Sequence, residues 1–372
     1  MDRCRIRPRG LTGPACTHAC LALLITGAFL MTGVGWGASR SDGPTPLAMD
    51  LAASVSGERI AETISTLQQL KSREFHLNYT LQAAQYIHDE LEGYGLDAEY
   101  QEFLLDGILV SNIVAVKPPA EDGGETYLFG AHYDSENEDA DTLELAYSLA
   151  APGADDDASG IAVVLELARL LADEELDATV KFVAFVAEEY GYDHEGGLAG
   201  SRYFVAHEIE AGVEYEGVAI LDMVGYRTGD ASKASLVVRS SGDDFAEEVE
   251  ESVDRNSVPL DLQTFVAPLA RYSDHESFWE AGYPAVLVSE EMALAGSVPM
   301  PVNPNYHTAN DTLDTLSTDQ IVAVTQALIG TVTGDDPSGE GDIGLYAIAA
   351  VGAVAMAAVI ARRFRNRTRK VD

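Results

Sequence analysis

Residues 130–135 read GAHYDS and residues 152–160 read PGADDDASG, so one histidine and four aspartates fall close together, flanked by glycine and small residues. Further along, Glu188 and Glu189 stand side by side, Asp222 closes an apolar run, and His307 lies in YHTANDT at 306–312. Crowded carboxylates repel one another unless positive charge is placed among them. Imidazole and carboxylate without thiolate are the donors that suit zinc or a similar divalent ion, and a carboxylate can bridge two such ions. The missing charge is therefore expected to be metal. A lone histidine is more often structural than a ligand, which is the reading for His18, His88 and His207, while His194 in YGYDHEGG reads as part of a solvated loop.

The ligand-type residues come from five segments, so the fold must bring them together. Short apolar, β-rich runs at 127–132, 180–187, 218–222 and 285–288 read as buried strands, with a neighbouring pair at 98–105 and 109–116. Helical periodicity marks 80–92, 161–171, 199–206, 243–255 and 319–329. The expected fold class is α/β, a mixed and mostly parallel β-sheet sandwiched by helices. On this reading His132 and Asp134 end one strand, Glu188 and Glu189 a second, and Asp222 a third. Open α/β sheets place their binding crevice at those carboxyl ends. Asp155, Asp156 and Asp157 precede a helix, whose amino end favours negative charge, but a cap needs only one of the three.

Composition narrows the partners. The chain has 372 residues, 47% of them hydrophobic, enough for one large or two ordinary domains with a proper core. Its formal charge is -38, and between residues 39 and 341 only 13 basic residues face 58 acidic ones. Such a surface repels nucleic acid and anionic lipid. Only four of those 13 are lysine, a pattern expected either of a protein adapted to high salt or of an ordinary acidic extracellular protein. Cys4, Cys16 and Cys20 all fall at or before the start of the first apolar run, which leaves the body without a disulfide framework, a cysteine metal site or a cysteine nucleophile. Four arginines before residue 10 and an apolar stretch at 19–34 read as a secretory signal over 1–37. After a body at 48–332, TGDDPSGEGD reads as a linker over 333–342, the apolar run 343–361 as a C-terminal transmembrane helix, and 362–372 as a basic cytoplasmic tail. These ends predict a single-pass protein of the cell membrane with its body outside.

GAHYDS, PGADDDASG, FVAEE, LDMVG, SDHESF and YHTANDT, in that order, resemble the co-catalytic two-zinc aminopeptidases of peptidase family M28 over roughly residues 81–328. The resemblance implies a zinc-exopeptidase fold of phosphorylase/hydrolase-like architecture and two Zn2+ per chain. It places His132 with Asp222 on one ion, Glu189 with His307 on the other, and Asp156 between them. Asp134 would orient the His132 imidazole, Glu188 would be the general base, and Asp155 and Asp157 would cap the following helix. Arg271 and Tyr272 are candidates for holding the oxyanion, and in SDHESF, which also contains His275, Ser273 and Asp274 would frame the site and not ligate. The implied function is a metal-dependent exopeptidase acting on peptides, first an aminopeptidase. A carboxypeptidase of the same family and a one-zinc glutaminyl-peptide cyclase stay open as alternatives. A scaffold that has lost its ligands is disfavoured because all five are present. The number of subunits is not legible.

Overall fold

The computed structural model describes residues 43–121, 123–137, 149–190 and 197–333. Of the two units into which the chain divides, Met1–Arg40 and Ser41–Asp372, these residues all belong to the second. The signal segment, the linker after Thr333, the apolar run at 343–361, the basic tail and His194 lie outside them. Among the described residues no helix is long and apolar enough to cross a membrane.

Ten strands and eight α-helices are described. The strands are β1 (Asp97–Leu105), β2 (Ile108–Lys117), β3 (Thr126–His132), β4 (Thr179–Phe185), β5 (Gly217–Leu221), β6 (Ser232–Val238), β7 (Leu260–Val266), β8 (Ala285–Ser289), β9 (Met292–Ala295) and β10 (Val298–Pro301). The helices are α1 (Pro46–Ala53), α2 (Gly57–Gln68), α3 (Asn78–Gly93), α4 (Ala158–Leu171), α5 (Ala199–Ala211), α6 (Asp244–Arg255), α7 (His275–Ala281) and α8 (Thr318–Thr333). Eight strands form one sheet in the order β1-β2-β4-β3-β5-β8-β6-β7, while β9 and β10 make a separate hairpin. The four neighbours β4, β3, β5 and β8 run parallel, as does the β6–β7 pair, and antiparallel pairings attach the rest. The sheet is therefore mixed and mostly parallel in its centre, as expected.

The parallel strands are apolar on both faces because each feeds two cores. Tyr127, Phe129 and Ala131 of β3, with Ala219 and Leu221 of β5, pack beneath α2, α3, α4 and α8. Leu128 of β3 and Val218 and Ile220 of β5 face the opposite way, toward Phe204 of α5 and Phe278 and Trp279 of α7. The two-residue period of a strand divides its side chains between the layers. The crossover from β3 to β4 passes through α4 in one layer, and that from β4 to β5 through α5 in the other. Helices leaving neighbouring strands toward opposite faces open a crevice above the carboxyl ends of β3, β4 and β5.

Several elements differ from the sequence expectation. Strand β4 stops at Phe185, two residues early, so Glu188 and Glu189 sit in the turn beyond it. Strands β6 and β7 were not expected: β6 opens on Ser232 and Lys233, and β7 lies at the sheet edge with mostly exposed or half-buried residues, so neither is a clean apolar run. Helices α1, α2 and α7 and the β9–β10 hairpin also carried no recognised signal.

Candidate metal centre

His132 is the last residue of β3, and the register sets it beside Phe185, the last residue of β4. Asp222 follows directly after β5. Asp156 lies in the turn before α4, and His307 comes from the loop between β10 and α8. Three non-glycine residues with left-handed backbone adjoin or belong to the site: Ala187 (φ 58) before Glu188, Met223 (φ 54) after Asp222, and His307 itself (φ 55). Such conformations persist only where surrounding contacts hold them, and they gather at functional sites.

The ring nitrogens converge on carboxylates. His132 Nε2 is 3.1 Å from Asp156 Oδ1 and 3.8 Å from Asp222 Oδ1. His307 Nε2 is 3.1 Å from Asp156 Oδ2 and 3.1 Å from Glu189 Oε1. Asp156 thus turns one oxygen toward each imidazole. Among the described residues, His132, Asp156 and Asp222 bring potential ligand atoms within 4.8 Å of one another, as do Glu136, Glu189 and His307, and also His132, Glu188 and Glu189. All five residues expected to be ligands are brought together.

Charge accumulates as this geometry requires. Burial works against a proton on His132, but the neighbouring carboxylates of Asp134, Asp156 and Asp222 outweigh it and raise its pKa well above the ordinary imidazole value. Burial is likewise overcome at His307, where Glu189 and Asp156 push the pKa up to about 12. Burial would raise Asp156, yet its bonds with both imidazoles hold its carboxyl below the usual carboxylate range. Glu189 rises to about 8, chiefly through burial and then through the charge of Asp156. Burial also raises Glu188 well above the ordinary value against the charge of His132, and Glu189, Asp274 and Asp222 add to it. A buried set of two imidazoles and several carboxylates that demands positive charge is the donor chemistry a divalent-metal site requires, so the residues fit zinc.

The supporting residues hold the backbone more than the rings. Asp134 Oδ1 is 3.6 Å from His132 Nδ1, too long for a hydrogen bond. Its two oxygens instead accept the backbone N–H groups of Glu188 and Glu189, each at 3.1 Å, and so tie the end of β3 to the turn after β4. Asp157 caps α4 as expected, accepting from Gly160 N at 2.9 Å. Asp155 does not: it accepts from Gly225 N at 2.8 Å and Asn303 Nδ2 at 2.7 Å, and so links its turn to the segment after β5. Asp311 accepts the N–H groups of Asp155 (2.9 Å) and Asp156 (3.0 Å), fixing the same turn from a third side.

A pocket beside the cluster is lined by Met223, Leu287, Met292, Met300 and Pro301, and by Tyr272 and Tyr306. Of the two oxyanion candidates, Arg271 is half exposed and is held by Glu276 and Glu280, away from the cluster. Tyr272 lines the pocket, but its hydroxyl donates to Pro299 O at 2.8 Å. Tyr306, which sequence reasoning passed over, lies in the pocket and stacks on His307 with ring centroids 3.7 Å apart. Burial keeps its hydroxyl protonated, and among the described residues that hydroxyl makes no hydrogen bond. Its place directly before His307 was the available signal. Glu136, two residues beyond Asp134, was also missed. His88 and His207 bond only to backbone carbonyls or neighbouring side chains and are structural, as expected. His275 is buried on Ala270 O, and it does not join the cluster.

An alignment 214 positions long, covering 49% of the chain, is 30% identical to a probable zinc metalloprotease of Pyrenophora teres f. teres (strain 0-1). It covers 42% of that protein, so the chain spans less than half the length of this curated relative. Among solved structures, the Legionella pneumophila LapA aminopeptidase superposes with a TM-score of 0.63 at 20% identity, over 77% of this chain and 74% of that one. The Tannerella forsythia glutaminyl cyclase gives 0.61 at 22% identity, over 76% and 99%. These likenesses establish a zinc-exopeptidase-like fold. Residues 112–332 match peptidase family M28. Since that stretch is more than half of the chain and contains every residue of the carboxylate and imidazole cluster, the chain belongs to peptidase family M28.

Proposed function

We propose that this chain is a zinc metallopeptidase that holds two ions and removes residues from the amino end of peptides. The observation that carries the two-ion reading is Asp156, with one oxygen 3.1 Å from each imidazole Nε2. His132 and Asp222 would hold one ion, Glu189 and His307 the other, and Asp156 would serve both. Glu136 is available to the second group. When bound, zinc would supply the positive charge that acidifies a water and polarises a peptide carbonyl.

The chain's own groups do the rest. Glu188 accepts the proton of the attacking water and returns it to the leaving amine, and its buried, elevated carboxyl suits that exchange. Asp134 keeps Glu188 and Glu189 in place through their amides. The Tyr306 hydroxyl, protonated and free of other hydrogen bonds among the described residues, donates to the oxygen on which negative charge develops. The methionine-lined pocket accepts an apolar side chain next to the cleaved bond. The LapA likeness and the name of the fungal relative support an aminopeptidase that uses zinc. Membrane anchoring and placement outside the cell rest on residues 1–37 and 343–361 alone.

Elemental analysis of purified protein should find two zinc ions per chain, and H307A should lose at least one. The wild type should hydrolyse a peptide with a free amino end and spare its N-acetylated form. Full activity with one ion or none would overturn the two-ion reading, while equal turnover of the blocked peptide would overturn the aminopeptidase one.

A further inference from the structure

Arg73 is among the largest side chains that are completely buried, with 0% exposure. A buried guanidinium normally faces a carboxylate, because an uncompensated charge is costly to remove from water. Among the described residues none lies within 4 Å of this one. Its partners are backbone carbonyls: Nε donates to Tyr133 O (2.7 Å), Nη1 to Pro152 O and to Leu67 O (3.3 Å), and Nη2 to Gly153 O (2.8 Å).

Three of those carbonyls belong to the two segments that carry ligands, and Leu67 O lies in α2. Tyr133 directly follows His132, and Pro152 and Gly153 open the turn that presents Asp156. The backbone N–H of Arg73 donates to Ser135 Oγ (3.0 Å), which in turn donates to Ala151 O (2.8 Å), so side chain and main chain of one residue fasten the same two segments. Packing there is close: Gly153 has φ +51, and a Cβ on it would lie 2.6 Å from Ser135 Cβ and 2.7 Å from Arg73 Nη2. The charges of Asp311, Asp134, Asp156 and Asp157 act on Arg73 through space. A planar fork with five donors can span two loops in a way that a lysine ammonium, a point charge with three, cannot.

We propose that Arg73 is a positioning residue for the metal centre, fastening the 133–135 segment to the 151–153 turn so that His132 and Asp156 are spaced for ions before any ion arrives. Its charge, met by backbone carbonyls and not by a carboxylate among the described residues, offsets the carboxylate cluster from behind. This rests on the metal-centre reading above.

The test is zinc affinity, measured on chelator-stripped protein by competition with a chromophoric chelator, alongside melting of the metal-free form. R73K keeps the charge but loses the fork, and it should bind zinc about tenfold or more weakly, the scale on which residues that orient ligands act. S135A should weaken binding by a smaller factor while leaving the metal-free melting temperature close to wild type. A residue with a merely structural part would lower that melting temperature and leave the affinity of the folded protein unchanged. Folded R73K that binds zinc within twofold of wild type overturns the proposal. If R73K does not fold, S135A decides, and affinity within twofold of wild type overturns it equally. Wild type that binds no zinc would instead overturn the metal-centre reading itself, and the proposal with it.

Discussion

Glu188 and Glu189 both bring a carboxylate oxygen within 4.8 Å of a ring nitrogen of His132, yet only Glu189 also reaches His307. That asymmetry supports different tasks for the two neighbours. E188Q keeps size and hydrogen-bonding capacity but not basicity, so its turnover should fall about 100-fold or more while zinc content stays at the wild-type level. E189Q should lose zinc as well as rate, because an amide is a poor ligand. Metal analysis and steady-state kinetics on the pair check this, and loss of metal from E188Q with retention by E189Q would exchange the two roles. The cluster itself was legible in the sequence, because ligand types are few and their motifs stand out against apolar runs. What each carboxylate touches was not. Asp155 and Asp157 flank Asp156 symmetrically in the chain, but only Asp157 caps the helix, since the turn aims Asp155 at Gly225 and Asn303.

At the scale of elements, the central strands could be read because burial on both faces leaves a continuous apolar run. Helix α7 could not: seven residues, opening on His275 and Glu276, are too few for a periodic signal. Its burial has a measurable consequence. His275 is packed edge-on against Trp279 with centroids 4.5 Å apart, Nε2 meets Ala270 O at 2.9 Å, and Nδ1 has no hydrogen-bond partner among the described residues. Burial lowers its pKa from 6.5 to about 4, so the folded chain keeps it neutral where the unfolded chain takes up a proton. Between those values the unfolded state binds more protons. Stability from this group is therefore complete above pH 6.5 and lost as pH falls toward 4. H275Q can still donate to Ala270 O but cannot titrate. Denaturant unfolding at pH 7 and pH 5 should show wild type losing about 2 kcal/mol more than H275Q over that interval. Equal losses would show that His275 does not drive the acid sensitivity.

For the whole molecule, charge dominates. The described basic side chains that form ion pairs, such as Lys181 with Glu208 and Lys233 with Glu291, occupy only a small part of the acidic excess. The remaining carboxylates repel one another across the surface, and salt screens that repulsion within about 10 Å at 0.1 M. The melting temperature should therefore rise as sodium chloride is taken from low to molar concentration. A gain of about 2 kcal/mol would correspond to roughly 5 °C. A flat thermal scan across that range would rule out adaptation to high salt without touching the catalytic reading. The apolar run at 343–361 with its basic flank belongs to this scale too, and it lies outside the described residues.

The sequence by itself determined the donor chemistry, the α/β class and the family, because residue types, their order and the apolar period are properties of a linear chain. Five ligand-type residues in six ordered motifs were enough to expect metal at the ends of strands. Only the tertiary structure decided how the carboxylates divide their work. Which oxygen of Asp156 meets which imidazole, that Asp134 holds two amides instead of a ring, and that Arg73 grips the backbone carbonyls of both loops all depend on contacts between residues distant in the chain. Tyr306 reaches the pocket because the left-handed backbone at His307 and the stacking of the two rings fix where the loop turns. Such contacts are set by packing between layers, which leaves no periodic trace in the order of the residues.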